Sequence, residues 1–231
     1  MKLIITSFIA CLLSFSLLNA QVVKEEPVEE PYKDYNERPY PATNIPPSPE
    51  VAGFMAEFED SEVGNLKVYS DFDEQPSSDY YFAGEKISAL HQELFTAEFR
   101  ELIKTENAYA TYSIKGNARE HYIIRLPTNK GPNTLWLFTV EGEVVKPLQL
   151  LAYAFCKDGS CYQQDSWITD LDGDTDLDIL VKTRRTNANS KKVLEKNEQV
   201  YLQNEAGDFR LVEKGLIRFE PGKFDMEELE Y

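Results

Sequence analysis

Apolar residues recur at three- to four-residue steps between positions 85 and 106, at Ile87, Leu90, Leu94, Phe95, Phe99, Leu102 and Ile103. That period puts them on one face of a helix, so Glu85–Glu106 reads as an amphipathic helix with a core-facing stripe. Beyond it the period drops to two and the residues become β-branched and aromatic. Strands are expected at Tyr109–Lys115, His121–Leu126, Thr134–Val140, Glu143–Lys146 and Leu148–Phe155, followed by two hairpins. Asn129-Lys130-Gly131-Pro132 and Glu141-Gly142 punctuate them as turns. The pattern predicts an α+β fold, one amphipathic helix packed on a largely antiparallel β-sheet. Residues 53–231 are long enough for one well-buried domain and short for two.

The chain ahead of residue 53 has a different character. Lys2, the apolar stretch Leu3–Leu18 and the small or polar pair Asn19-Ala20 form the three parts of a secretory signal peptide over residues 1–20, with cleavage before Gln21. A retained membrane anchor is the alternative, but the run is short for a bilayer span. Phe8-Ile9-Ala10-Cys11 is faintly similar to a lipidation box, although apolar residues continue past the cysteine. Residues 21–52 are rich in glutamate and carry Pro39, Pro41, Pro46, Pro47 and Pro49. A stretch with so few apolar residues does not offset its ordering entropy and reads as an extended, disordered linker. Tyr32, Tyr35 and Tyr40 leave open a docking peptide within it. The expected location is secreted or periplasmic.

Cysteine usage fits export. Cys11 lies in the signal, which leaves the pair Cys156 and Cys161. Asp158-Gly159 between them is a type I′ hairpin signal, and a two-residue turn there sets the two cysteines opposite each other at disulfide range. A C-x4-C metal or redox pair is the alternative. Zinc would then need further ligands, and only His91 and His121 exist elsewhere.

The densest chemistry is Asp170-Leu171-Asp172-Gly173-Asp174-Thr175-Asp176-Leu177-Asp178, five carboxylates in nine residues, followed by the apolar Ile179-Leu180-Val181. Like charges at this density call for a cation, and Ca²⁺ accepts the irregular oxygen sets that a flexible loop supplies. Asp170, Asp172 and Asp174 are the expected side-chain ligands, Asp176 offers its backbone carbonyl, and Asp178 is the closing carboxylate. An EF-hand would need glycine at position 6 and glutamate at position 12, where this chain has Thr175 and Val181. A solvated acidic turn is the plain alternative. Asp71, Asp73, Gln75 and Asp79 repeat the oxygen spacing, but Pro76 and the lack of a following strand point to a polar loop there.

The loop resembles those of FG-GAP and VCBS-type repeats, which read roughly D-x-D-G-D-G-x-x-D-L-x-V. Asp170, Asp172, Gly173, Asp174, Asp178 and the apolar residues after it match, and Val200–Phe209, with Asn204, Gly207 and Phe209 in order, is similar to the second hairpin of such a unit. The resemblance covers residues 165–214. Thr175 departs from it, standing where the family has a second glycine and a positive φ is often wanted. Only one convincing unit is present, so the resemblance implies calcium-stabilised β-structure and not a propeller.

Signals for catalysis are thin: there is no Gly-x-Ser-x-Gly, His-Glu-x-x-His or phosphate-binding glycine loop. His121, at the start of a strand, reads as a surface or sheet-edge residue. A net charge of −16 argues against nucleic acid, whose phosphates need clustered cations. Lys182, Arg184, Arg185, Lys191 and Lys192 form the one basic cluster and are expected to offset the acidity of the loop. The expectation is a secreted or periplasmic, calcium-binding, non-catalytic structural or binding module, with a cell-surface or periplasmic protein or glycan as partner. An exported inhibitor of a cell-wall hydrolase, similar to lysozyme inhibitors, is the second reading, and a hydrolase with structural calcium the third.

Overall fold

The computed structural model describes residues 46–226 except 62–63, 78, 103–106, 214 and 221. The segment read as a signal peptide, and the linker through residue 45, lie outside the described residues. The chain first forms α1 (Pro49–Met55), where Ser48 Oγ accepts the Val51 amide at 3.3 Å and Pro49 opens the first turn. This helix spans the 52/53 boundary at which the globular part is expected to begin. Next come β1 (Glu59–Asp60), β2 (Asn65–Val68), β3 (Glu85–Lys86), α2 (Ala89–Gln92) and α3 (Ala97–Leu102). The rest is strand: β4 (Tyr109–Lys115), β5 (Glu120–Thr128), β6 (Gly131–Glu141), β7 (Val144–Lys157), β8 (Ser160–Thr169), β9 (Asp178–Asn187), β10 (Val193–Gln203) and β11 (Phe209–Leu211).

The strands pair in the order β1-β4-β5-β6-β7-β8-β9-β10-β11, with β2 added to β8 and β3 to β4. Among the described strands only β1 runs parallel to its partner, β4, so the sheet is mixed. The long strand β7 belongs to both halves of this path. Val144–Ala152 pair with β6 and Tyr153–Lys157 with β8. Register shifts against β6 leave Leu148, next to Pro147, and Leu151 as extra residues, and such bulges bend a strand while accommodating a proline that cannot donate to the ladder. The sequence pattern breaks this strand at Pro147; the protein bends it there instead. The edge of β8 facing away from β9 is likewise divided, its first half taking β7 and its second half β2.

Folding at β7 brings Ile123, Leu135 and Leu137 of one half against Ile168, Ile179 and Val181 of the other, in a central cluster closed by Leu66, Val68 and Phe82. A second cluster lies on the other side of β5 and β6, where Tyr122, Ile124, Leu126 and Phe138 meet Phe54, Phe95 and Phe99 of the short helical segments. Strands covered on both faces read as near-continuous apolar runs, as β5 and β6 do. A third cluster, around Trp167, Leu180, Val200 and Phe224, is covered by the C-terminal segment.

The α+β expectation is overturned: the fold is mostly β, with three short helices among the described residues. The apolar stripe is real, since Ile87, Phe95 and Phe99 are buried, but no continuous helix carries it. Glu85 and Lys86 pair with β4, and Ser88 caps a helix that ends at Gln92. Phe95 then bridges to Val145, with the Thr96 amide bonded to the Val145 carbonyl and the Val145 amide to that of Leu94. Those bonds satisfy backbone groups that a through-going helix would have used internally, and Leu90, freed from the core, is 66% exposed. Residues 103–106 and the Leu102 side chain are outside the description.

Candidate functional site

Residues 170–177 connect β8 to β9, with Thr169 and Asp178 in register at their base. The loop is pinned from both faces, because Leu177 is buried in the central cluster and Leu171 packs on the third. Between these anchors the aspartates fold the backbone onto their own oxygens. Asp170 accepts the amides of Gly173 (2.7 Å) and Thr175 (3.0 Å), Asp172 accepts that of Asp174 (3.2 Å), and Asp174 that of Asp176 (2.8 Å). These are the side-chain-to-backbone turns that aspartate favours. Gly173 has φ 88° and Thr175 φ 76°, the latter in a region that a β-branched residue rarely enters.

One oxygen each of Asp170, Asp172 and Asp174 lies within 4.8 Å of the other two, and among the described residues this is the group able to hold a metal ion. Two oxygens on opposite sides of a Ca²⁺ with bonds of about 2.3–2.6 Å are about 4.6–5.2 Å apart, so the set fits that ion. The donors are all carboxylate, as hard cations require. Burial raises the Asp172 carboxyl above its ordinary value, and the neighbouring Asp174 charge adds to the shift. A cation between the two would relieve both effects.

Asp178 stands apart from that group. It is 1% exposed, its Oδ2 accepts the Leu171 amide and its Oδ1 the Gln203 amide, both at 2.9 Å, so it ties the loop to β10. Burial pushes its carboxyl up to about 6, against the pull of those two amides and with the charges of Asp172 and Asp174 adding to the rise. Asp176 is half-buried and contributes its amide to Asp174. Asp71, Asp73 and Asp79 do not converge as a metal-binding group. Their segment is organised around Asn133, whose Nδ2 donates to the carbonyls of Asp71 (3.1 Å) and Asp73 (2.6 Å).

Cys156 and Cys161 face each other across the β7–β8 hairpin and form a disulfide, with Cα atoms 4.0 Å apart. The turn residues Asp158 (φ 51°) and Gly159 (φ 72°) both take positive φ, as a type I′ turn requires. In the β10–β11 hairpin Asn204 Oδ1 accepts the amides of Ala206 (3.0 Å) and Asp208 (2.9 Å), and Gly207 turns at φ 82°.

Two features escape the sequence pattern. His121 is 1% exposed and sits inside the fold, not at its surface, with Nε2 3.0 Å from Gln203 Nε2 and its ring against Phe209. Burial, helped by the Arg119 charge, drives its imidazole down to about 3, so it is neutral. Gln203 thus joins Asp178 through its backbone to His121 through its side chain. The basic residues of β9 also behave differently, since Lys182 pairs with Glu198 and Arg185 with Glu195 rather than with the aspartate loop. Charge alternation between β9 and β10 is the signal that would have indicated this.

Comparison of the chain with protein-family models, with curated proteins and with solved structures finds no match. Among the described residues no helix is long and apolar enough to cross a membrane.

Proposed function

We propose that the protein is an exported, calcium-binding, non-catalytic β module whose ion closes the β8–β9 connection. The observation carrying this reading is the convergence of the Asp170, Asp172 and Asp174 oxygens within 4.8 Å, a span matched to calcium coordination. Buried Leu177, partly buried Leu171 and a backbone-bonded Asp178 hold the loop in that shape, so binding requires little rearrangement. The resemblance of the loop and the following hairpin to an FG-GAP or VCBS-type unit supports the same assignment, and the Cys156–Cys161 disulfide supports an oxidising compartment. Extracellular sites commonly bind calcium at 10⁻⁴–10⁻³ M, so permanent structural occupancy is the default there.

Thermal unfolding in excess calcium and in chelator tests the assignment. Calcium at about a hundredfold over its dissociation constant should stabilise the fold by about 2.7 kcal/mol. The paired substitution Asp172→Asn and Asp174→Asn should remove the rise in Tm while leaving the chelator curve near its original position. An unchanged rise in that variant would refute the assignment of the site. Magnesium, which demands near-ideal octahedral geometry, should give a smaller rise.

A further inference from the structure

Where the end of β7 meets the β5–β6 turn lies a cleft of about 750 Å³, lined by Phe72, Tyr109, Phe155, Arg125 and Lys157 among others. Arg125 is 7% exposed, and no carboxylate pairs with it among the described residues. Its Nε donates to the carbonyls of Phe82 (3.1 Å) and Ala83 (3.0 Å), Nη2 to Ala83 (2.7 Å) and Nη1 to Asn133 Oδ1 (2.9 Å). A guanidinium has five N–H groups, and these bonds together with one to the Tyr109 side chain leave one for a ligand. The guanidinium carbon lies 3.9 Å from the centre of the Tyr109 ring, which holds the plane of the fork against one wall of the cleft. Burying a cation without a countercharge is costly, and neutral carbonyls return only part of that cost. A fold that keeps such a group rigid beside an open cavity has the ingredients of a ligand anchor: polar groups set beside aromatic rings in a mixed lining.

We infer that this cleft binds a small ligand bearing a carboxylate on a ring, the carboxylate on Arg125 and the ring against Tyr109, Phe72 and Phe155. A carboxylate oxygen can accept the remaining N–H in a charge-assisted hydrogen bond and supply the countercharge that the buried guanidinium lacks. Glu74 in the lining and the net charge of −16 disfavour a dianion such as a phosphate monoester, whereas a single negative charge is matched by Arg125 and Lys157. Asn107, Asn129 and Thr128 in the lining supply polar groups for hydroxyls on the ring. Nothing here depends on the aspartate loop, so the cleft and the calcium reading stand or fall separately.

Heteronuclear NMR titration of the folded protein in calcium buffer tests the inference, with sodium D-glucuronate and sodium benzoate as probes and D-glucose as the uncharged control. Saturable shifts of the Arg125 Nε–H resonance and of the Tyr109 and Phe155 amides are expected with at least one carboxylate and not with glucose. Glucuronate acting alone identifies an acidic sugar, and benzoate acting alone an aromatic acid. Arg125→Met should weaken binding about ten- to hundredfold, the worth of a charged hydrogen-bonded contact. Should that variant fail to fold, Lys157→Glu, at an exposed position, should weaken it about fivefold. Absence of shifts with both carboxylates, shifts with glucose alone, or affinity unchanged in a folded variant would overturn it.

Discussion

Thr175 holds φ at 76° because the loop must turn there while its amide still reaches Asp170 Oδ2. A β-branched residue in that region costs about 1–3 kcal/mol, and glycine would avoid the strain while giving back about 0.5–1 kcal/mol in unfolded-state entropy. Thr175→Gly should therefore stabilise the protein by about 1 kcal/mol, read as a higher denaturation midpoint, and under the proposed function should enlarge the rise in Tm that calcium produces over chelator. This position was legible in the sequence, because the loop pattern asks for glycine where the chain has threonine. His121 was not legible, since its burial depends on Gln203 and Phe209 arriving from strands some eighty residues later. Its folded-state pKa, about 3, lies below the ordinary 6.5, so the unfolded chain takes the proton first and stability is lost as pH falls. Unfolding measured between pH 7 and 4 should show about 1.4 kcal/mol lost for each pH unit below 6.5 from this group alone. His121→Gln should flatten that part of the profile, and an unchanged slope would show that other groups govern acid sensitivity.

Elements show the same division between local signals and distant ones. The β7–β8 hairpin is written locally: Asp158-Gly159 fixes the turn, the turn fixes the register, and the register sets Cys156 opposite Cys161. The bridge closes a loop of sequence separation 5, for which chain entropy assigns about 2 kcal/mol. Replacing both cysteines with alanine should cost about that much in chemical denaturation, with the strand pairing retained. The segment 85–102 shows the opposite case. Its apolar spacing is helical, yet the backbone groups of Leu94 and Thr96 find partners at Val145, and a periodicity argument has no means of anticipating an acceptor some fifty residues away. Pro147 misleads in a similar way, since a proline ends most strands but is accommodated beside a bulge in this one.

At the scale of the molecule, the pattern of strands from Tyr109 onward was readable because alternation and turn residues are local. The small N-terminal strands were not, because each is a few residues long and is made a strand only by what it joins. β2 is the clearest instance: Leu66 stands beside Ile168 and Lys67 beside Trp167, so its partner lies about a hundred residues further along the chain. Contacts of such separation are slow to form, because the ends of a long loop must meet before any pairing rewards them. The divided edge of β8 therefore sets an order of events during synthesis. β4 to β7 can pair as they emerge, whereas β2 has no template until residues 166–169 have been made. Fragments ending at residue 158 should leave Leu66–Val68 open to limited proteolysis, and the same segment should become resistant once the chain extends past β9. The completed fold is thus withheld from the nascent chain until most of it exists, which lengthens the interval in which it can still be threaded through a narrow pore.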